Sequence, residues 1–197
     1  GFLGKSLRLS ELIFFAIVFL LVYGLCIFGK RFPVFSTDFS LVTIVPATFV
    51  VILVTILYGQ QKAAYFSFIL FFSIFHATDF SPVPAIFELC SCLAAVRVVR
   101  KMQRRFDMVV AAIIIAVLNC VFLVTLRILT NAQSDGFLID LIGVAFNGFI
   151  SCILALGFLT PLETVLNTAS VFRLMDLSDL NTPIMRKLLL TASGTYN

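Results

Sequence analysis

The chain has 197 residues, of which 61% are hydrophobic and 12% are charged. Soluble domains contain about 45–50% apolar and about 25% charged residues, so this composition excludes a soluble enzyme, a disordered tail and a disulfide-stabilised scaffold. The formal net charge is +4. Because the basic residues lie between apolar blocks and form no basic helix face, we expect no nucleic acid partner.

Six apolar blocks follow one another along the chain, near the length of about 20 residues that a membrane-spanning helix needs. They cover residues 12–28, 41–58, 63–75, 83–99, 108–126 and 137–159, and the third is the shortest. The blocks lack the alternation of polar and apolar residues that is typical of barrel strands. Because a backbone in lipid must satisfy its own hydrogen bonds, we predict an all-α fold, a polytopic membrane helix bundle of about six transmembrane helices.

The Lys and Arg residues divide unequally between the two sides that six alternating spans define. With a cytoplasmic N-terminus, eleven fall inside and three fall outside, namely Lys30, Arg31 and Arg127. Cytoplasmic loops retain basic residues, so we expect both termini to be cytoplasmic. Five cations lie within residues 97–105, and we interpret that loop as an anchor at anionic headgroups rather than a recognition site.

The chain changes character after Pro161, so we divide it into a transmembrane domain, 1–161, and a cytoplasmic helical stalk, 162–197. Asn181 followed closely by Pro183 is typical of a helix start. Met185, Leu188 and Leu189 then follow at helical spacing and form one apolar stripe. The stripe predicts a partner, either the bilayer surface or another domain.

Polar residues inside apolar blocks are costly, and we take them as candidate functional residues. Glu88 lies in the fourth block, and we expect it to reach the headgroups or pair with a neighbouring helix, with ligand binding as the alternative. Asn119 and Asn147, in the fifth and sixth blocks, are candidates for joining helices or for holding a ligand. Asp140 is expected to be solvated at the outer interface.

No catalytic or metal-binding pattern accompanies these residues in the sequence. His76 is the single histidine, and the five cysteines form no CxxC pair, so they are typical of small packing residues. We therefore predict no catalytic residue, no metal ligand and no cofactor in this chain.

A specific pattern occupies the last third of the chain. It consists of GFISCILALGFLTPLE at 148–163, FRLMDLSDLNTPIMRKLLL at 172–190 and GTYN at 194–197. This pattern resembles the junction between the last membrane helix and the cytoplasmic HD domain of bacterial seven-transmembrane HD hydrolases. Asp179, Asn181 and Pro183 match the LSDxNxP stalk of that family, in which the GTY element immediately precedes the first HD histidine.

The resemblance implies a regulator in the bacterial plasma membrane whose HD domain hydrolyses cyclic di-AMP at a two-metal centre. No metal ligand of the HD domain is carried over to this chain, so the parent protein, not this chain, is implied to be the hydrolase. Six blocks rather than seven indicate that the chain starts at the second helix of the family, which agrees with a cytoplasmic N-terminus. The implied partners are the HD domain and the extracellular domain of the same polypeptide, besides the bilayer and a second copy of the chain.

We therefore interpret the chain as a membrane-anchoring and signal-transmitting sensory module of a cyclic di-AMP phosphodiesterase. One alternative is the small solute-binding membrane subunit of an energy-coupling-factor transporter, which also has about six helices. A shape-determining scaffold protein is another. The stalk distinguishes them, because a transporter subunit has little use for a tail with its own capped helix.

Overall fold

The computed structural model describes residues 9–31, 45–102, 106–131 and 136–165. Within these ranges the chain is entirely helical, so the all-α prediction is confirmed. The six helices are α1 (Leu9–Gly29), α2 (Ala47–Tyr58), α3 (Gln60–Ala77), α4 (Pro82–Val99), α5 (Asp107–Thr130) and α6 (Phe137–Val165).

Four of the described helices, α1, α4, α5 and α6, are long and apolar enough to cross a membrane. The short helix is α2, with 12 residues, or about 18 Å at about 1.5 Å per residue. It begins directly after Pro46, and a proline suits the start of a helix because no amide hydrogen is needed there. The third block was expected to be the shortest, but α3 has 18 residues because the helix extends over the polar residues 60–62.

Helix α2 is the centre of the bundle. It packs against α3, α4 and α6, while α4 also packs against α3 and α5, and α5 against α6. Nine of its residues are buried, from Ala47 to Ile56 with Phe49 as the partly exposed exception. A helix too short to span the bilayer by itself is thus surrounded largely by protein, where its ends do not have to meet lipid.

Helix α1 packs mainly against α3, and polar pairs join the two helices along their length. Lys62 donates to Glu11 at 2.5 Å near one end, and Lys30 forms an ion pair with Asp79 near the other. Between them the Tyr23 hydroxyl lies 3.0 Å from His76 Nδ1. These contacts join start to start and end to end, so α1 and α3 are parallel neighbours.

The last described helix runs through Pro161 to Val165, beyond the end predicted for the sixth apolar block. Pro161 has no amide hydrogen to donate to the carbonyl of Gly157, one turn earlier. The residues assigned to the stalk, Asp179, Asn181, Pro183, Met185, Leu188 and Leu189, lie outside the described residues.

Candidate functional site

The carboxyl group of Glu88 lies inside the bundle, although the residue is only in the second turn of α4. Its side chain is 2% exposed, so it does not reach the headgroups. Thr48, at the start of α2, forms a side-chain hydrogen bond with it. The thiol of Cys92, one turn along α4, donates to Glu88 Oε2 at 3.9 Å, which is a long and weak contact.

Glu88 is one end of a hydrogen-bonded series that crosses four helices. Thr48 Oγ1 lies 3.0 Å from Ser91 Oγ, and Ser91 donates to Asn119 Oδ1 of α5 at 2.7 Å. Asn119 Nδ2 in turn donates to the backbone carbonyl of Val144 in α6 at 3.2 Å. We call Glu88, Thr48, Ser91 and Asn119 the polar chain. All four side chains are buried, as a hydrogen-bonded network in a low-dielectric interior requires.

Gly148 lets α6 approach the polar chain. A Cβ atom placed on it would lie 2.8 Å from Asn119 Nδ2, 3.1 Å from Ile115 Cγ2 and 3.2 Å from the amide nitrogen of Ala116. Real Cβ atoms essentially never come as close to a neighbour as 2.8 Å, so any other residue here would displace the Asn119 amide. Small residues at helix contacts in membranes serve this purpose.

Asn147 faces α2 rather than α5. Its Nδ2 donates to the carbonyl of Val45, just before α2, at 3.3 Å, and it accepts a hydrogen bond from Ser151 at 3.2 Å. Asn147 and Ser151 line a groove of about 290 Å³ between α2 and α6 whose other walls are apolar side chains and backbone. Asn147 therefore belongs to a different contact from the polar chain that contains Glu88 and Asn119.

The prediction that Asp140 is solvated is wrong. Asp140 is 7% exposed and forms an ion pair with Arg127 of α5, and each side chain is 10% exposed. The Arg127 guanidinium also lies 5.3 Å from the centre of the Phe137 ring, a cation–π distance. The pair joins the last turn of α5 to the first turn of α6.

Two residues of the polar chain, Thr48 and Ser91, were not among those that the sequence singled out. The sequence contained a signal for Ser91, which lies between Cys90 and Cys92 and close to Glu88, but none for Thr48. A hydroxyl in an apolar helix usually bonds to a carbonyl four residues earlier, as Thr55 does to Val51 at 2.7 Å.

The described residues contain no group of three or more His, Cys, Asp or Glu side chains that could hold a metal ion. The two-metal centre implied for an HD domain therefore has no set of ligands in this part of the chain. His76 is hydrogen-bonded to Tyr23, and Cys26, Cys92 and Cys152 are buried free thiols. The polar chain can hold helices together or carry a proton, but it offers no paired nucleophile and base.

In the part of the chain that the structure describes, six packed helices, four of spanning length, and a buried polar chain define a polytopic helical membrane protein. The family model for the 7TM receptor with intracellular HD hydrolase matches residues 4–170. The chain therefore belongs to this family, as the resemblance in its last third predicted.

Two relatives carry the name cyclic-di-AMP phosphodiesterase PgpH. The protein from Bacillus subtilis (strain 168) is 31% identical over 121 residues, covering 60% of this chain and 17% of the relative. The protein from Listeria monocytogenes serotype 1/2a (strain 10403S) is 26% identical over 158 residues, covering 77% of this chain and 22% of the relative. The chain thus spans about a fifth of these relatives. No solved structure matches it at a significant level.

Proposed function

We propose that this chain is the membrane-anchoring and signal-transmitting module of a cyclic di-AMP phosphodiesterase, and that it is not itself catalytic. The observation that carries the proposal is the family match over residues 4–170, together with the two relatives named as cyclic-di-AMP phosphodiesterases. The metal centre and the hydrolysis then belong to an HD domain of the same polypeptide. Family membership favours this function over a transporter subunit or a scaffold.

The proposed location is the bacterial plasma membrane with both termini cytoplasmic. The excess of Lys and Arg on one side supports this orientation. The ion pairs agree with alternating spans, since Glu11 meets Lys62 at one end of α1 and Lys30 meets Asp79 at the other.

Signal transmission in this proposal runs through the stalk. The stripe of Met185, Leu188 and Leu189 docks against the HD domain, and burying each side chain contributes about 1.5–3 kcal/mol. A signal is transmitted only if the stripe is covered to different extents in two positions of the domain, because equal burial shifts no equilibrium.

The proposal is tested on the full-length protein by replacing Leu188 and Leu189 with Ser together. We expect a change in cyclic di-AMP hydrolysis when the membrane part is present and none when the HD domain is assayed alone. The matched control replaces Arg186 and Lys187, off the stripe, with Gln. If the double Leu variant hydrolyses cyclic di-AMP as the wild type does in both forms, the stalk is only a tether.

A separate assay tests the non-catalytic role. The purified chain of 197 residues, incubated with cyclic di-AMP and Mn²⁺, is expected to give no turnover above a control without the chain. Turnover that persists through repeated purification would contradict the proposal.

A further inference from the structure

An open cleft lies where the start of α3 meets the end of α4. Because a short turn joins these packed helices, they run in opposite directions, and the first turn of α3 lies beside the last turn of α4. The cleft has a volume of about 380 Å³, and Gln60, Gln61 and Arg97 line it at the helix ends. This volume lies within the range of about 300–1,000 Å³ that is typical of small-molecule sites. The cleft can therefore hold a ligand larger than a simple ion.

A second, smaller cavity adjoins the cleft at Gln60, which lines both of them. Arg100 lines this cavity together with Thr55, at the end of α2, and Gly59. Arg100 directly follows α4 and keeps its right-handed helical conformation. Arg97 and Arg100 are therefore three residues apart on one helical turn, where side chains are neighbours. Both arginines border spaces that meet at Gln60, so one ligand group placed there can contact both.

The basic groups at this cleft have no counter-charge within the described part of the chain. Arg97, Arg100 and Lys101 are exposed, and none of them takes part in an ion pair of the described residues. No acidic residue lines either cavity. Lys62, the nearest basic residue of α3, is by contrast paired with Glu11 at 2.5 Å. Guanidinium groups bind phosphate through paired, charge-assisted hydrogen bonds, so a phosphate group complements this site in charge and in geometry.

Further from the helix ends the lining of the cleft becomes apolar. Ala64 and Tyr65 lie one turn along α3, and Leu93 lies one turn back along α4. Tyr65 is exposed, and so are Phe68 and Phe72, which follow it on the same face of α3. Because α4 is long and apolar enough to span a membrane, Leu93 and this face of α3 lie at the depth of the hydrocarbon. The cleft thus has basic groups at the membrane edge and an apolar wall that continues into the bilayer, as a bound phospholipid requires.

We propose that this cleft binds an anionic phospholipid, with the phosphate between Arg97 and Arg100 and an acyl chain along the wall that contains Tyr65. A soluble phosphate compound would use only the basic groups, whereas a lipid also covers the exposed apolar face of α3. A zwitterionic lipid would bring a cation of its own to these basic groups, so an anionic lipid is favoured. The proposal goes beyond anchoring and signal transmission, because it gives the membrane domain a specific ligand. It also assigns recognition to part of the basic segment 97–105, which the sequence alone indicated as an anchor.

Native mass spectrometry of the chain released from detergent micelles tests the lipid preference and its source. With phosphatidylglycerol and phosphatidylcholine supplied together, we expect phosphatidylglycerol to bind at least about tenfold more tightly. The soluble headgroup glycerophosphoglycerol, which has the same phosphate but no acyl chains, should not displace the lipid even in large excess. Equal binding of the two lipids would overturn the proposal, and displacement by the soluble headgroup would overturn the assignment to a lipid. Both measurements use the unsubstituted chain.

Two double variants then locate the site. Replacing Arg97 and Arg100 with Gln together should weaken phosphatidylglycerol binding by about tenfold or more, because both charge-assisted contacts are lost. The matched control replaces Arg31 and Lys101 with Gln, which removes the same charge from exposed residues that line neither cavity, and should weaken binding by at most about threefold. Equal losses in the two variants would mean that only net charge matters and would overturn the proposal. Neither assay involves an HD domain, so failure here leaves the proposed function untouched.

Discussion

Gly148 of α6 and Asn119 of α5 lie so close together that a Cβ on the glycine would come within 2.8 Å of the amide nitrogen. The same amide nitrogen donates to the carbonyl of Val144, one turn before Gly148. The missing side chain thus leaves the space that the amide occupies. Close packing of α5 on α6 and orientation of the polar chain depend on the same position.

Replacing Gly148 with Ala should destabilise the bundle by about 1–3 kcal/mol, the usual cost of overpacking a filled interior. The matched control is Gly157→Ala on the same helix, where an added Cβ has no neighbour within 4 Å. That variant should be unchanged or more stable by up to about 1 kcal/mol, because Ala favours the helix over Gly. Unfolding in detergent micelles measures both, and equal stabilities would contradict the packing described for α5 and α6.

A second pair of variants compares two buried serines. Ser91→Ala removes the donor to Asn119 Oδ1, and an orphaned buried acceptor costs about 1–3 kcal/mol. Ser73 Oγ has no hydrogen-bond partner among the described residues, so Ser73→Ala should be neutral or stabilising. The measurement is the denaturation midpoint of each variant. A larger loss of stability in Ser73→Ala than in Ser91→Ala would contradict the prediction.

The ion pairs differ in how deeply they are buried. Arg127 and Asp140 are each 10% exposed, so Arg127→Ala leaves a buried carboxylate and should cost about 3–5 kcal/mol. In the pair of Lys30 and Asp79 the acidic side chain is 89% exposed, so Asp79→Asn should cost at most about 1 kcal/mol. Thermal unfolding of both variants under the same conditions shows which substitution costs more stability. Added salt should reduce the contribution of the exposed pair of Lys30 and Asp79 more than that of the buried pair.

The proposed topology predicts which loops an impermeant thiol reagent reaches in intact cells. Phe80, between α3 and α4, and Phe106, before α5, are both exposed and fall on opposite sides. Cysteine placed at 80 should be labelled from outside, whereas cysteine at 106 should be labelled only after permeabilisation. The unsubstituted chain, whose thiols are buried or half-buried, is the background control. The reverse pattern would overturn the topology.

The helices of this fold could be predicted because lipid imposes long apolar runs, and a polar residue such as Glu88 stands out within them. The partners of Glu88 could not be predicted from the sequence. Thr48 lies forty residues away along the chain, and nothing local distinguishes it from Ser67, whose hydroxyl bonds to Ala63 of its own helix. The burial of Asp140 was missed for a similar reason, since its position near a helix start is typical of solvated residues and only packing brings Arg127 to it.

The short central helix has a consequence for how the protein meets bilayers of different thickness. Hydrocarbon cores are about 30 Å thick, and α2 is too short to match any of them, but protein surrounds most of it. Hydrophobic mismatch therefore acts on α1, α5 and α6, whose apolar side chains are widely exposed, and these helices can adjust by tilting. A change in membrane thickness therefore does not act on α2 directly. It changes the tilt of the helices that contact lipid, and this tilt alters their packing against α2 and Thr48.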